Sequence, residues 1–108
     1  MSVYVVGHKS PDTDSVAAAI AYAALMKAKG EDFVPAVSGK LNPESEVVLK
    51  QFGFPTPEIL TDATGKKIAL VDHSDLAQAP DNLSAGEVVA VVDHHKIGDV
   101  TTNQPIFF

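Results

Sequence analysis

Every histidine of this chain lies in one of three short motifs that also carry aspartate. The motifs are residues 7–15 (GHKSPDTDS), 71–73 (VDH) and 92–95 (VDHH). Imidazole and carboxylate groups without any thiolate suit Mn²⁺ or Mg²⁺, with Co²⁺ and Zn²⁺ as alternatives. The candidate ligands outnumber what a single tetrahedral site uses, and they are His8, Asp12, Asp14, Asp72 and His94. The residue types therefore predict two ions about 3.5–4 Å apart, an arrangement typical of phosphoryl hydrolysis.

Each motif follows a short apolar run that predicts a buried strand. The runs are residues 3–6, 68–71 and 88–92, which are apolar and contain β-branched residues. Ligands of open parallel sheets bind beyond the carboxyl ends of the strands. The three motifs will meet at one rim, provided that their strands are near neighbours in the sheet.

Helical and weaker strand patterns fill the intervals between these runs. A helix is expected from about Asp14 to Lys29, with Thr13 or Asp14 as its cap and Gly30 at its end. Apolar residues at helical spacing in this segment are Val16, Ala17, Ile20, Ala24 and Leu25.

Three further segments have weaker signals. Residues 33–37 predict a strand, which Pro35 places towards a sheet edge or a bulge. Asn42 and Pro43 open a helix whose buried face is expected at Val47, Val48 and Phe52. Residues 74–86 could hold a short helix. This alternation predicts an α/β fold, with a layered, mostly parallel sheet and helices on both faces.

Composition limits the function classes. The chain has 108 residues, 45% of them hydrophobic, which suits one compact domain or part of one. It shows no transmembrane or signal segment and no cysteine, so we expect a cytoplasmic protein without a membrane partner. Net charge is −6 and arginine is absent, which argues against a nucleic-acid partner. A clamp on phosphate would have to use Lys9, Lys96 and backbone amides, or polypeptide outside this sequence.

The three motifs together resemble the DHH phosphoesterase superfamily, and within it most of all the family II, manganese-dependent inorganic pyrophosphatases. The similarity extends over essentially the whole chain. Nuclease and phosphodiesterase relatives usually have glycine where Thr13 stands, and their serine lies further along than Ser15. His73 after Asp72 also resembles the pyrophosphatases.

The resemblance implies a role for each motif residue. His8, Asp12 and Asp72 would bind a first Mn²⁺. Asp14, Asp72 and His94 would bind a second, so that Asp72 bridges the two ions.

Residues near the ligands would serve the substrate. His95 would contact the phosphate of pyrophosphate, and Asp93 would orient the histidine pair, which makes both candidate catalytic residues. Lys9 is a candidate for phosphate binding, although a solvated surface lysine is the simpler interpretation. His73 would support the site without binding metal.

Members of that family continue further than this sequence. They carry another aspartate ligand, followed by a C-terminal domain that holds the substrate with lysine and arginine. Residues 1–108 are therefore expected to be the N-terminal portion of a DHH domain, without the substrate-clamping domain. The full-length protein is expected to form a homodimer, and the 108-residue chain alone is expected to be inactive. The alternatives are a DHH-type phosphodiesterase or exopolyphosphatase, or a non-catalytic metal-binding fragment.

Overall fold

Five parallel strands form one sheet in the computed structural model of the chain. The structure describes residues 2–8, 13–39, 41–60, 62–73, 83–93, 98–99 and 102, without the side chains of Asp14 and Ser84. The elements, in chain order, are β1 (Val3–Val6), α1 (Thr13–Ala28), β2 (Phe33–Val37), α2 (Pro43–Gln51), β3 (Glu58–Ile59), β4 (Lys67–Val71), a 3₁₀ turn (Leu83–Ala85) and β5 (Glu87–Val92). The strand order is β3-β2-β1-β4-β5. The predicted α/β class with a parallel sheet is confirmed.

The strands that precede the three motifs are consecutive in the sheet. β1 pairs with β4 from Val3↔Lys67 to Val6↔Leu70, and β4 pairs with β5 through Val71↔Val92. Because all three run parallel, their carboxyl ends lie at the same edge. The condition that the sequence left open, that these strands are neighbours, is met.

Strand β4, which lies between β1 and β5, is buried on both faces, as its continuous apolar run predicts. Ile68 and Leu70 pack in one cluster, together with loop residues Leu60 and Ala63 and with Leu83 of the 3₁₀ turn. Ala69 and Val71 pack in a second cluster, which contains Ala19 and Ala23 of α1. Helix α1 therefore covers one face of the sheet, and loop and turn residues cover the other within the described chain.

Helix α1 begins one residue earlier than predicted. Thr13 is its first residue and Asp14 its second, while the residue before Thr13 lies outside the described part of the chain, so the predicted cap stays a prediction. At the other end the chain turns at Gly30, whose φ of 88° suits glycine, and the amide of Glu31 donates a 2.9 Å bond to the carbonyl of Met26.

The buried face of α1 is only partly the predicted one. Buried positions are Val16, Ala19 and Ala23, with Ile20 partly buried, whereas Ala17, Ala24 and Leu25 are exposed. Since most positions of this helix are apolar, the sequence does not indicate which side faces the sheet.

Helix α2 has the predicted start and a different buried face. The side chain of Asn42 accepts a 2.8 Å bond from the amide of Ser45, and Pro43 lies in the first turn. The buried residues are Ser45 and Leu49. Val47 and Phe52 are 60% and 67% exposed, so their predicted burial is wrong, and Val48 is partly buried. The reason is that α2 packs with the face that carries Ser45 and Leu49 towards α1.

Strand β2 is an interior strand over part of its length. The short β3, which sequence reasoning missed, pairs with Ala36 and Val37 only. Pro35 precedes that pairing, so its missing N–H is not required on the outer side. The register with β1 is continuous through Pro35, so no bulge forms there.

Of the segment 74–86, for which a short helix is predicted, residues 74–82 lie outside the described part of the chain, and Leu83–Ala85 form the 3₁₀ turn. Within the described chain, no helix combines the length and the apolar character needed to cross a membrane.

Candidate metal centre

His8 and Asp72 meet at the carboxyl edge of the sheet. His8 follows β1 and Asp72 follows the neighbouring β4. Nε2 of His8 lies 3.6 Å from Oδ2 of Asp72, with the two side chains 15% and 12% exposed. One imidazole nitrogen and one carboxylate oxygen, from two different motifs, thus lie close together at this edge of the sheet.

The peptide unit that precedes His8 is held on both sides. Its N–H, from His8, donates to Oγ of Ser15 at 3.2 Å, and its carbonyl, from Gly7, accepts from Oγ of Ser38 at 2.8 Å. Only glycine fits at position 7, because an added Cβ would overlap Oγ of Ser15 and lie 2.7 Å from its Cβ. These contacts fix the backbone from which the His8 ring projects.

Asp72 has an unusual backbone conformation. Its φ is 61°, in the left-handed region that non-glycine residues seldom adopt, although aspartate tolerates it better than most. Its amide donates a 2.9 Å bond to the carbonyl of Val92, the last residue of β5. Conformations of this kind concentrate at functional sites, where the surrounding structure holds them in place.

His73 is buried beside this pair. It is 3% exposed, and its ring meets that of His8 edge to face with the centroids 6.4 Å apart. Nδ1 donates to the carbonyl of Val71 at 2.9 Å, which leaves Nε2 as the ring's acceptor atom. Nε2 is buried and has no hydrogen-bond partner among the described residues.

Burial is the main electrostatic influence on His73. It lowers the pKa of the imidazole below the ordinary value of 6.5, and the nearby His8 adds to that effect. The bond to Val71 and the carboxylates of Asp93 and Asp72 raise the same pKa by less. His73 is therefore a neutral, buried ring within electrostatic reach of both strand-end aspartates.

Several predicted site residues lie outside the described part of the chain. They are Lys9, Asp12, the side chain of Asp14, His94 and His95. Asp93 is described, and it follows β5 directly and is partly buried. Among the described residues, no three histidine or acidic side chains form a metal-binding group. The five-ligand assignment accordingly stays a prediction, of which the structure brings together His8 and Asp72.

The donors that are present suit a hard divalent cation. An imidazole nitrogen and a carboxylate oxygen lie close together without a thiolate, which favours Mn²⁺ or Mg²⁺ over softer metals. The buried Nε2 of His73 adds a further acceptor next to His8. The chemistry of this donor set therefore fits the predicted metal.

Sequence reasoning missed two groups of residues around this centre. Ser38 follows β2 directly, as the histidine motifs follow their strands. That position at a strand end could have indicated that Ser38 lies near the site. Glu44 and Ser45 contact Thr13 from α2, and no sequence signal connects residues that far apart.

An open parallel sheet with helices, and with imidazole and carboxylate groups at its carboxyl edge, places the chain among the α/β proteins. The chain belongs to the DHH family, whose N-terminal domain it matches over residues 2–108. The resemblance inferred from the motifs is confirmed.

Named relatives are pyrophosphatases. A probable manganese-dependent inorganic pyrophosphatase of Archaeoglobus fulgidus is 56% identical over 98% of this chain and 37% of its own length. The manganese-dependent inorganic pyrophosphatase of Methanothrix thermoacetophila is 52% identical over 99% of this chain and 35% of its own. The chain thus spans about a third of the length of these relatives.

A solved structure shows the same fold. The crystal structure of a Methanococcus jannaschii protein assigned to the family II inorganic pyrophosphatases superposes with a TM-score of 0.87 at 47% identity. It covers 98% of this chain, which corresponds to 33% of that protein.

Proposed function

We propose that this chain is the N-terminal portion of a manganese-dependent inorganic pyrophosphatase, which hydrolyses pyrophosphate to two phosphates. The observation that carries the proposal is the approach of His8 Nε2 to Asp72 Oδ2, 3.6 Å apart at the ends of adjacent strands. The names of relatives at 50–56% identity support both the manganese and the substrate.

Two Mn²⁺ would be held in the proposed site, with Asp72 serving both. His8 and Asp12 would be the other protein ligands of one ion, and Asp14 and His94 those of the second. When bound, the pair would lower the pKa of a shared water and neutralise phosphate charge. Mg²⁺ and Co²⁺ are the alternative ions.

The chain's own residues orient these ligands. The peptide unit before His8, bonded on both sides, fixes the backbone from which the ring projects. The amide of Asp72, bonded to the carbonyl of Val92, fixes the backbone that carries the carboxylate. His95 would donate a hydrogen bond to a phosphate oxygen, with Asp93 orienting the histidine pair. Lys9 would attract the anionic substrate.

The remaining parts of the proposal concern the complete protein. A C-terminal region would clamp the pyrophosphate, the full-length protein would be a cytoplasmic homodimer, and nucleic acid would not be a partner. Thr13 and His73 favour pyrophosphate over a phosphodiester, because the resemblance to pyrophosphatases rests on them.

Titration of the 108-residue chain with MnCl₂, followed by calorimetry and by the electron paramagnetic resonance of free Mn²⁺, tests the site. His8→Ala and Asp72→Asn should weaken binding strongly. Asp93→Asn should cost less, about 10–100-fold, as a change in a residue that only orients ligands does. Asp32→Asn, at the opposite end of the sheet, is the charge-matched control. Equal losses for Asp72→Asn and Asp93→Asn would contradict the bridging role.

A chimera tests the activity. Joining these 108 residues to the remaining part of the Archaeoglobus fulgidus relative should give a protein that releases phosphate from pyrophosphate with Mn²⁺. Preferential cleavage of a phosphodiester by a folded chimera would overturn the proposed substrate.

A further inference from the structure

The first residue of α1 is bonded to the first turn of α2. The hydroxyl of Thr13 donates to Oε1 of Glu44 at 2.5 Å, and Oγ of Ser45 lies 3.3 Å from the same hydroxyl oxygen. Since the proton of Thr13 goes to Glu44, Ser45 is the donor in the second contact. We propose that Glu44 is a positioning residue, which through Thr13 holds the start of α1 for metal binding; this inference rests on the proposed function.

Thr13 is the right point at which to hold the helix. It stands between Asp12 and Asp14 in the chain, and each of these is proposed to bind a different ion. Any restraint on the Thr13 backbone limits where both carboxylates begin. Metal ligands must be held within about 0.5 Å of their productive positions, so a flexible helix start would weaken both ions.

Glu44 lies in the first turn of α2, which other contacts fix in place. Asn42 caps α2 by accepting from the amide of Ser45 at 2.8 Å. Ser45 is 1% exposed, and Leu49, one turn further, packs against Val16 of α1 and Val37 of β2. The first turn of α2 is thus fixed both to the sheet and to α1. The carboxylate of Glu44 is also favoured there by the positive end of the helix dipole.

The contact joins residues 31 positions apart, so the packing of α2 onto α1 creates it. Glu46 offers a matched comparison, since it carries the same charge in the same turn and its side chain is exposed. Removing Glu46 therefore reports the effect of losing one negative charge from α2, without loss of the bond to Thr13.

The test uses Mn²⁺ titration of the 108-residue chain. Glu44→Ala and Thr13→Val should each weaken Mn²⁺ binding about tenfold, the lower end of the effect of removing a partner that orients ligands. Glu46→Ala should bind as the wild type does. Glu44→Gln and Thr13→Ser keep an acceptor and a donor respectively, so both should restore affinity close to that of the wild type.

Two further measurements separate positioning from stability and from charge. The double variant Thr13→Val/Glu44→Ala should lose no more affinity than the weaker-binding single variant, because both act through one bond. In metal-free ¹H–¹⁵N spectra, Glu44→Ala should shift the amide signals of Thr13 and Asp14, and Glu46→Ala should not.

The outcomes distinguish the two proposals. A wild-type chain that does not bind Mn²⁺, or a His8→Ala variant that binds equally well, overturns the proposed function and with it any positioning role. A wild-type chain that binds through His8, with Glu44→Ala binding as tightly as Glu46→Ala, overturns the inference alone. Losses that simply add in the double variant also overturn it.

Discussion

The hydroxyl of Ser38 donates a 2.8 Å hydrogen bond to the carbonyl oxygen of Gly7. Ser38 follows β2 and Gly7 follows β1, two strands paired in parallel register. The N–H of the same peptide unit donates to Oγ of Ser15. The peptide plane before His8 is therefore held by one hydroxyl from a neighbouring strand end and by another from α1.

Ser38→Ala should weaken Mn²⁺ binding by the 108-residue chain about tenfold, because the peptide unit before His8 loses one of the two hydrogen bonds that fix it. Ser38→Thr keeps the hydroxyl and should bind nearly as the wild type does. Ser2→Ala is the control, since Ser2 makes a comparable 2.8 Å bond to Asp32 beside the amino ends of the strands. Affinity of Ser38→Ala indistinguishable from that of Ser2→Ala would show that the clamp does not position His8.

Gly7→Ala should lower the free energy of unfolding by about 1–3 kcal/mol, the usual cost of overfilling a packed site. The reason is the overlap of the new Cβ with Ser15. Denaturant unfolding measures the loss. Adding Ser15→Gly removes the atoms in conflict, so the double variant should be less destabilised than the sum of the two single changes. Additive losses would mean that the crowding lies elsewhere.

Two replacements of Asp72 separate the effect of its backbone conformation on stability from the effect of its carboxylate on Mn²⁺ binding. Asp72→Gly and Asp72→Ala both remove the carboxylate and should both abolish its contribution to Mn²⁺ binding. Only glycine adopts a φ of 61° without penalty, so Asp72→Gly should be the more stable of the two metal-free variants by about 1 kcal/mol. Equal unfolding free energies would show that the left-handed conformation relaxes in the alanine variant.

His73 should make the metal-free chain less stable in mild acid. Burial lowers the pKa of His73 below 6.5, whereas in the unfolded chain it keeps the ordinary value. Below pH 6.5 the unfolded state thus binds a proton that the folded state does not. Stability from this group is complete above that pH, and it falls as pH drops towards the lower pKa of the folded state.

The measurement is the free energy of unfolding between about pH 5.5 and 7.5, where carboxylates remain ionised. Since His8, Asp72 and Asp93 face His73, the comparison is with His73→Phe, in which all three are retained. That variant should show a flatter pH profile than the wild type. Parallel profiles would assign the pH dependence to other groups.

The 108-residue chain by itself should not turn over pyrophosphate at an enzyme-like rate, even with excess Mn²⁺. Its net charge of −6 and its lack of arginine leave the negative charges of the substrate poorly neutralised. Phosphoryl transfer depends on positioning and electrostatic stabilisation, which a clamp would supply. A phosphate-release assay decides, and turnover within about 1–10³ s⁻¹ would refute the prediction.

Local patterns in the sequence determined the parts of this protein whose signals lie close together in the chain. The apolar runs predicted β1, β4 and β5 in their places. The turn at Gly30 after α1 and the cap of α2 at Asn42 each follow from a single residue. The motifs also identified the family. Because ligands collect beyond the ends of parallel strands, the sequence indicated which edge of the sheet would hold His8 and Asp72.

Tertiary structure decided what depends on contacts between distant segments. Strand order, which places β1 beside β4, brings His8 within 3.6 Å of Asp72. Packing of the two helices turned Val47 and Phe52 outwards and joined Thr13 to Glu44. The spacing of apolar residues did not predict which helix faces are buried, because α1 is apolar on most sides. It also did not predict the bond between Thr13 and Glu44, because a hydroxyl or a carboxylate has many possible partners in the chain. Only the free energy of the whole packed fold selects among them.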